Sequence, residues 1–242
     1  MTLPTRRQTV SFAPISGPSG YSLTGYVWQY DLEEYVDAYG NERVRKVSDW
    51  SRSESADVTG RDIVHQFSVI ASDGRDLLVS LESAAKLLGF TKGEDGAKLI
   101  QSVSSAVKTL AKLRMEKAMI DAQNEALKAK NATHRADLDR VTAEYANRQP
   151  VVTMLDESGS DTEVWTIDSA FVWYRPSSSY NCLAAQDREY RLELLRNRCI
   201  DRKMKEMGHT SGMYPASVSY SDLPERIAKQ ERKINKLTKD GK

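Results

Sequence analysis

Glycine and proline are both missing from residue 97 to residue 149, although the whole chain carries 13 and 7 of them. With no helix breaker over that span, one uninterrupted helix is the simplest reading. Cysteine is scarce as well. Cys182 and Cys199 stand alone, with no second pair at ligand spacing, which argues against a disulfide scaffold and a cysteine zinc site. No apolar run of about 18 residues occurs, so no transmembrane helix is expected, and the N-terminus lacks the apolar core of a secretory leader. The protein is therefore expected in a reducing cytoplasm, or in a virion assembled there. A net charge of +1 creates no global field toward nucleic acid or acidic lipid.

Catalytic signatures are absent too. No G-x-S-x-G, Walker, G-x-G-x-x-G or H-E-x-x-H pattern exists, and His65, His134 and His209 are far apart in sequence. The run Asp156-Glu157-Ser158-Gly159-Ser160-Asp161-Thr162-Glu163 is rich in oxygen ligands but lacks EF-hand spacing, so an acidic turn is the simpler reading. The sequence thus names no catalytic residue, no cofactor and no metal, and the chain reads as non-enzymatic.

What is present is a heptad. Alternating steps of four and three residues give Leu99, Val103, Ala106, Leu110, Leu113, Lys117, Ile120, Asn124, Leu127, Asn131, His134, Leu138, Val141 and Tyr145. A sustained 3.5-residue repeat marks a helix packed on partner helices. At 1.5 Å per residue the stretch would span roughly 70 Å, more than small flanking modules could cover. An oligomer seam in a dimer or trimer is the leading reading. Pairing with the predicted helix Leu183–Met207 of the same chain is its main rival. The a positions Lys117, Asn124 and Asn131 are polar, which weakens the middle while penalising wrong registers. His134, at a d position, is a candidate for pH-sensitive association.

The rest of the chain is arranged around that helix. Residues 1–20 hold Pro4, Pro14, Gly17, Pro18 and Gly20 and read as an extended arm; residues 21–91 read as a β-rich module with a short helix, Leu81 to Leu88, closed by Gly89. Residues 92–149 are the heptad helix, with Lys128–His134 the window in which it could bend. Residues 150–180 read as a β hairpin of Val151–Leu155 with Glu163–Tyr174, and residues 181–242 as basic helices and a tail. The expected fold is α+β, extended and non-globular, with small antiparallel modules flanking the helix.

Charge is uneven along it. Asp31 to Asp62 has nine acids and five bases, a balance of −4, whereas Gln186 to Lys242 has fourteen bases and nine acids, a balance of +5. Arg196, Arg198, Arg202 and Lys203, with Arg232, Lys233 and Lys236 further on, are candidate phosphate contacts, although no aromatics are interleaved with them. Trp28, Tyr30, Trp165, Trp173 and Tyr174 are expected in β cores or in patches between subunits. The leading functional expectation is an oligomeric structural or assembly protein, plausible as a component of a virus or phage particle or another large complex, partnered by itself and its neighbours. The alternative is a coiled-coil adaptor that binds nucleic acid through its basic C-terminal helices.

Overall fold

The computed structural model describes residues 3–38, 42–47, 54–60, 62–155, 162–174, 181–209 and 217–240. The acidic segment 156–161 lies outside those residues, as do the hairpin turn that Gly40-Asn41 predicts and the loop expected over 176–179. Helices and antiparallel strands are mixed, an α+β composition. The chain divides into two units, Met1–Asn124 with Val218–Lys242, and Glu125–Ser217.

In the first unit, β1 (Arg6–Ser16), β2 (Ser22–Tyr30), β7 (His65–Ile70) and β8 (Asp76–Val79) form an antiparallel sheet in the order β1-β2-β7-β8. Two small ladders accompany it, β3 (Leu32–Val36) with β4 (Glu42–Lys46), and β5 (Glu54–Ser55) with β6 (Asp62–Ile63). Helix α1 (Leu81–Leu88) begins at Ser80, whose hydroxyl accepts from the Ser83 amide, and ends at Gly89, with φ of 81°. A short polar side chain before the helix and a glycine after it satisfy the free backbone groups at the two ends.

The first twenty residues are therefore more than an arm. Pro14 looked like a breaker, yet it sits in an edge strand, where the register with β2 shifts between Ser11 and Ile15. A proline removes one donor, and an edge strand at an irregularity tolerates that loss. Val10, Phe12 and Ile15 are buried in the core beneath it.

Helix α2 (Asp95–Ala146) is helical through all 52 residues, so the window 128–134 contains no break. Its residues up to Asn124 belong to the first unit. There Val103, Ala106 and Leu110 of the heptad join the sheet's apolar core, together with Ile100, Val107 and Ala111. Ser104 is buried beside them, and Met115, Met119 and Ala122 pack on the same cluster. The buried face is thus wider than an a/d seam and follows spacings of three and four residues through 100, 104, 107, 111 and 115. That breadth belongs to a helix lying on a globular core. Helix α4 (Leu223–Asp240) adds Ile234 to this core; its Glu231 pairs with Arg114 at 2.8 Å, and Gln230 donates to the Ala106 carbonyl at 3.0 Å.

The second unit carries an antiparallel sheet of β9 (Val151–Leu155), β10 (Thr162–Ile167) and β11 (Ala170–Tyr174), in the order β11-β10-β9. The expected single strand over residues 163–174 is two strands, because Asp168 and Ser169 form a tight turn with Ile167 opposite Ala170. Helix α3 (Asn181–Glu206) covers one sheet face. Leu195, Cys199, Ile200 and Met204 meet Trp165, Ile167, Ala170 and Val172, with Val141 and Tyr145 of α2 in the same cluster.

Candidate functional site

The heptad positions take different environments in the two units. Val103, Ala106, Leu110 and Leu113 are buried, and Leu99 packs on the first core. Val141 and Tyr145 are buried in the second core with Leu138 against it, where α3 supplies the covering side chains. Each fully buried apolar side chain contributes about 1.5–3 kcal/mol, and here that gain is realised within the chain. Against the expectation that its own flanks could not cover it, the stripe is covered within the chain at both of its ends.

The polar middle is used locally. Lys117 pairs with Asp121 at 2.8 Å and lies over the Tyr220 ring, while the Tyr220 hydroxyl donates to Asp121. Asn124 holds the returning segment by two hydrogen bonds, accepting from the Val218 amide at 2.6 Å and donating to its carbonyl at 3.3 Å. Its amide presents a donor and an acceptor to extended backbone, as a neighbouring strand would. Ile120, Leu127 and Asn131 are half-buried. His134 is buried with its ring 4.9 Å from that of His209, and His209 Nε2 lies 2.9 Å from Asp137 Oδ2. The His209 contact holds the Asp137 carboxyl below the usual carboxylate range.

Of the proposed phosphate contacts, Arg196 is committed to the Arg148 carbonyl at 3.1 Å, and Lys203 is half-buried. Arg232, Lys233 and Lys236 are exposed on α4, in the first unit. Arg198 and Arg202 fall together in the second unit, where with Lys205 and Asp201 they line an open groove of about 450 Å³ against Ala170 and Phe171. Arg198 donates to the Phe171 carbonyl at 2.8 Å. Lys205, another base of the C-terminal helices, lines the same groove, and the spacing of these bases gave no sign of the aromatics nearby. Phe171 and Trp173 are 50% and 55% exposed and meet edge to face at 6.5 Å. The sequence signal was alternation in Ala170-Phe171-Val172-Trp173. Residues two apart share a face, so burial of Val172 sends both rings outward. Trp28, Tyr30 and Trp165 are core residues as expected, and the side chain of Tyr174 lies outside the described residues.

At the opposite edge of this sheet, β9 is exposed on both faces. Val151 is 69% exposed, Val152 44% and Met154 55%, and the strand carries no charge. In the first unit a second groove of about 480 Å³ is lined by Trp28, Lys46, His65, Lys112, Met115, Glu116 and Met119. Its charges are mixed in sign. Among the described residues no three His, Cys, Asp or Glu side chains are placed to hold a metal ion, and no helix is long and apolar enough to cross a membrane. No protein family, curated protein or solved structure matches the chain.

Proposed function

We propose that this chain is a non-enzymatic assembly protein whose copies join by strand addition at β9. The observation that carries the reading is an edge strand, Val151-Val152-Thr153-Met154-Leu155, that is uncharged and exposed from Val151 to Met154. Soluble proteins commonly guard such edges with charge, proline or a covering element, because unpaired backbone groups template another strand. The sequence is also self-complementary. Antiparallel pairing about Thr153 sets Val151 against Leu155 and Val152 against Met154, with Thr153 facing Thr153. Apolar and threonine cross-strand pairs each add a few tenths to about 1 kcal/mol. The result is an isologous dimer with a continuous sheet of two copies. Self-association, expected through the heptad, is thus assigned to β9. The extended form, the cytoplasmic setting and membership of a virus particle or other large complex belong to the same proposal.

Light scattering of the purified chain at two concentrations tests it. A dimer is expected, converted to monomer by Val152→Lys and by Thr153→Pro, while circular dichroism is retained. A monomer at both concentrations, or a dimer that survives both substitutions, overturns the reading. A hydrodynamic radius no larger than that of a compact protein of the same mass rejects the extended form.

A further inference from the structure

We infer that the outer edge of β11, at the other side of the same sheet, binds single-stranded nucleic acid. Arg198, Arg202 and Lys205 are spaced four and three residues apart on α3, so they form one stripe along the helix. All three line the groove beside Phe171, with Asp201 the one acid among its described lining residues. Arg202 and Lys205 have no ion-pair partner among the described residues, and Arg198 is oriented by its bond to the Phe171 carbonyl. That bond places Arg198 at the strand's edge beside Phe171, and Phe171 in turn meets the Trp173 ring. Phe171 and Trp173 occupy the face opposite buried Val172 and are half exposed. No helix covers that face in the described residues.

Cations that track a phosphate backbone beside solvent-facing rings on which bases stack are the two requirements for sequence-tolerant single-strand binding. A duplex fits less well, because its bases are already stacked and cannot use the rings. An acidic peptide would use the cations and leave both rings idle. Phosphates therefore run along Arg198, Arg202 and Lys205, while the bases turn onto Phe171 and Trp173. The exposed cations of α4 lack this combination. Arg232 shares a bond with its own helix, to the Ala228 carbonyl at 3.4 Å, and neither Lys233 nor Lys236 has an exposed aromatic in ring contact. The inference is independent of strand addition at β9, and the two are read by different signals.

The test is fluorescence anisotropy of a labelled oligothymidylate of about ten nucleotides, within the usual 4–16-nucleotide site size. It uses the full chain at low salt. Binding is expected, with the logarithm of affinity falling against the logarithm of salt at a slope of about −2 for three contacts. Arg198→Gln with Arg202→Gln should lower affinity at least about tenfold, and Trp173→Leu at least about fivefold. Arg232→Gln with Lys233→Gln should leave affinity unchanged. Absence of binding at low salt overturns the inference. So does equal loss from the α4 substitutions, or equal affinity for a duplex or a polyglutamate of the same length. Retained circular dichroism and retained mass in each variant show that loss of binding is not loss of fold or assembly.

Discussion

The hydroxyl of Tyr145 donates a hydrogen bond of 2.8 Å to Oδ2 of Asp168, joining the last turns of α2 to the tight turn between β10 and β11. Arg148 donates to both carboxylate oxygens of the same residue at 2.8 Å. Asp168 takes a φ of 50°, a conformation that aspartate tolerates better than most residues. One carboxylate therefore sets a turn and anchors a helix. Asp168→Ala should destabilise the second unit by about 2 kcal/mol, through two lost partners and a strained φ. Tyr145→Phe should cost about 1 kcal/mol. Urea unfolding followed at the second unit's Trp165 distinguishes the two, and an equal cost would refute the ranking.

The same contact has an alkaline signature. Burial, followed by the hydrogen bond to Asp168, pushes the Tyr145 phenol up to about 12. The native state then holds this proton more tightly than the unfolded state does. The contribution is complete below pH 10 and is lost as the pH rises toward 12. Burial also raises the Tyr30 phenol, so ultraviolet difference titration should show a late phase that Tyr145→Phe reduces by one tyrosine's amplitude.

Acid acts at a second place. Asp137 is held below the usual carboxylate range, first by its hydrogen bond with His209 and then by Arg140. A depressed carboxyl stabilises the fold above its unfolded pKa, and that contribution disappears as pH falls through the folded value. Asp137→Asn should therefore flatten the acid limb of thermal stability below about pH 4. A limb unchanged by the substitution would show that the His209 contact does not couple to folding.

Substitutions along the heptad should report on folding more than on mass. Leu110→Ala should cost about 2–5 kcal/mol through the cavity it leaves. Leu113→Asn should destabilise the first unit without dissociating an oligomer. Asn124→Leu should leave the Val218 amide and carbonyl without their partner, costing about 1–3 kcal/mol. Hydrogen exchange should then accelerate in the segment leading into α4. If these variants change the mass instead, the seam pairs between chains.

Close packing at Gly17 makes a separate prediction. A β-carbon there would lie 2.1 Å from the Leu88 carbonyl oxygen, where the turn 17–20 meets the end of α1. Gly17→Ala should cost about 1–3 kcal/mol, the usual range for overpacking. A melting temperature equal to that of the parent would refute it.

Several elements were legible from local rules. Gly89 closed α1, and the absence of breakers left α2 continuous. Strand β1 was illegible because Pro14 and Gly17 mimic a linker, and only the sheet edge and the Leu88 contact reveal what they do. The Asp168 turn was missed because it is two residues long and carries no glycine.

The sequence by itself determined the α+β composition, the long helix and the apolar stripe along it, since these follow from residue spacing and backbone preference. Tertiary structure alone decided what covers that stripe. Burial depends on which surfaces the chain folds back to offer, and here a sheet, α4 and α3 occupy the positions that a heptad reserves for a partner helix. It also decided that Phe171 stands beside Arg198 and Arg202. Residues about thirty apart become neighbours only when a strand and a helix pack, and no periodicity in the chain records that.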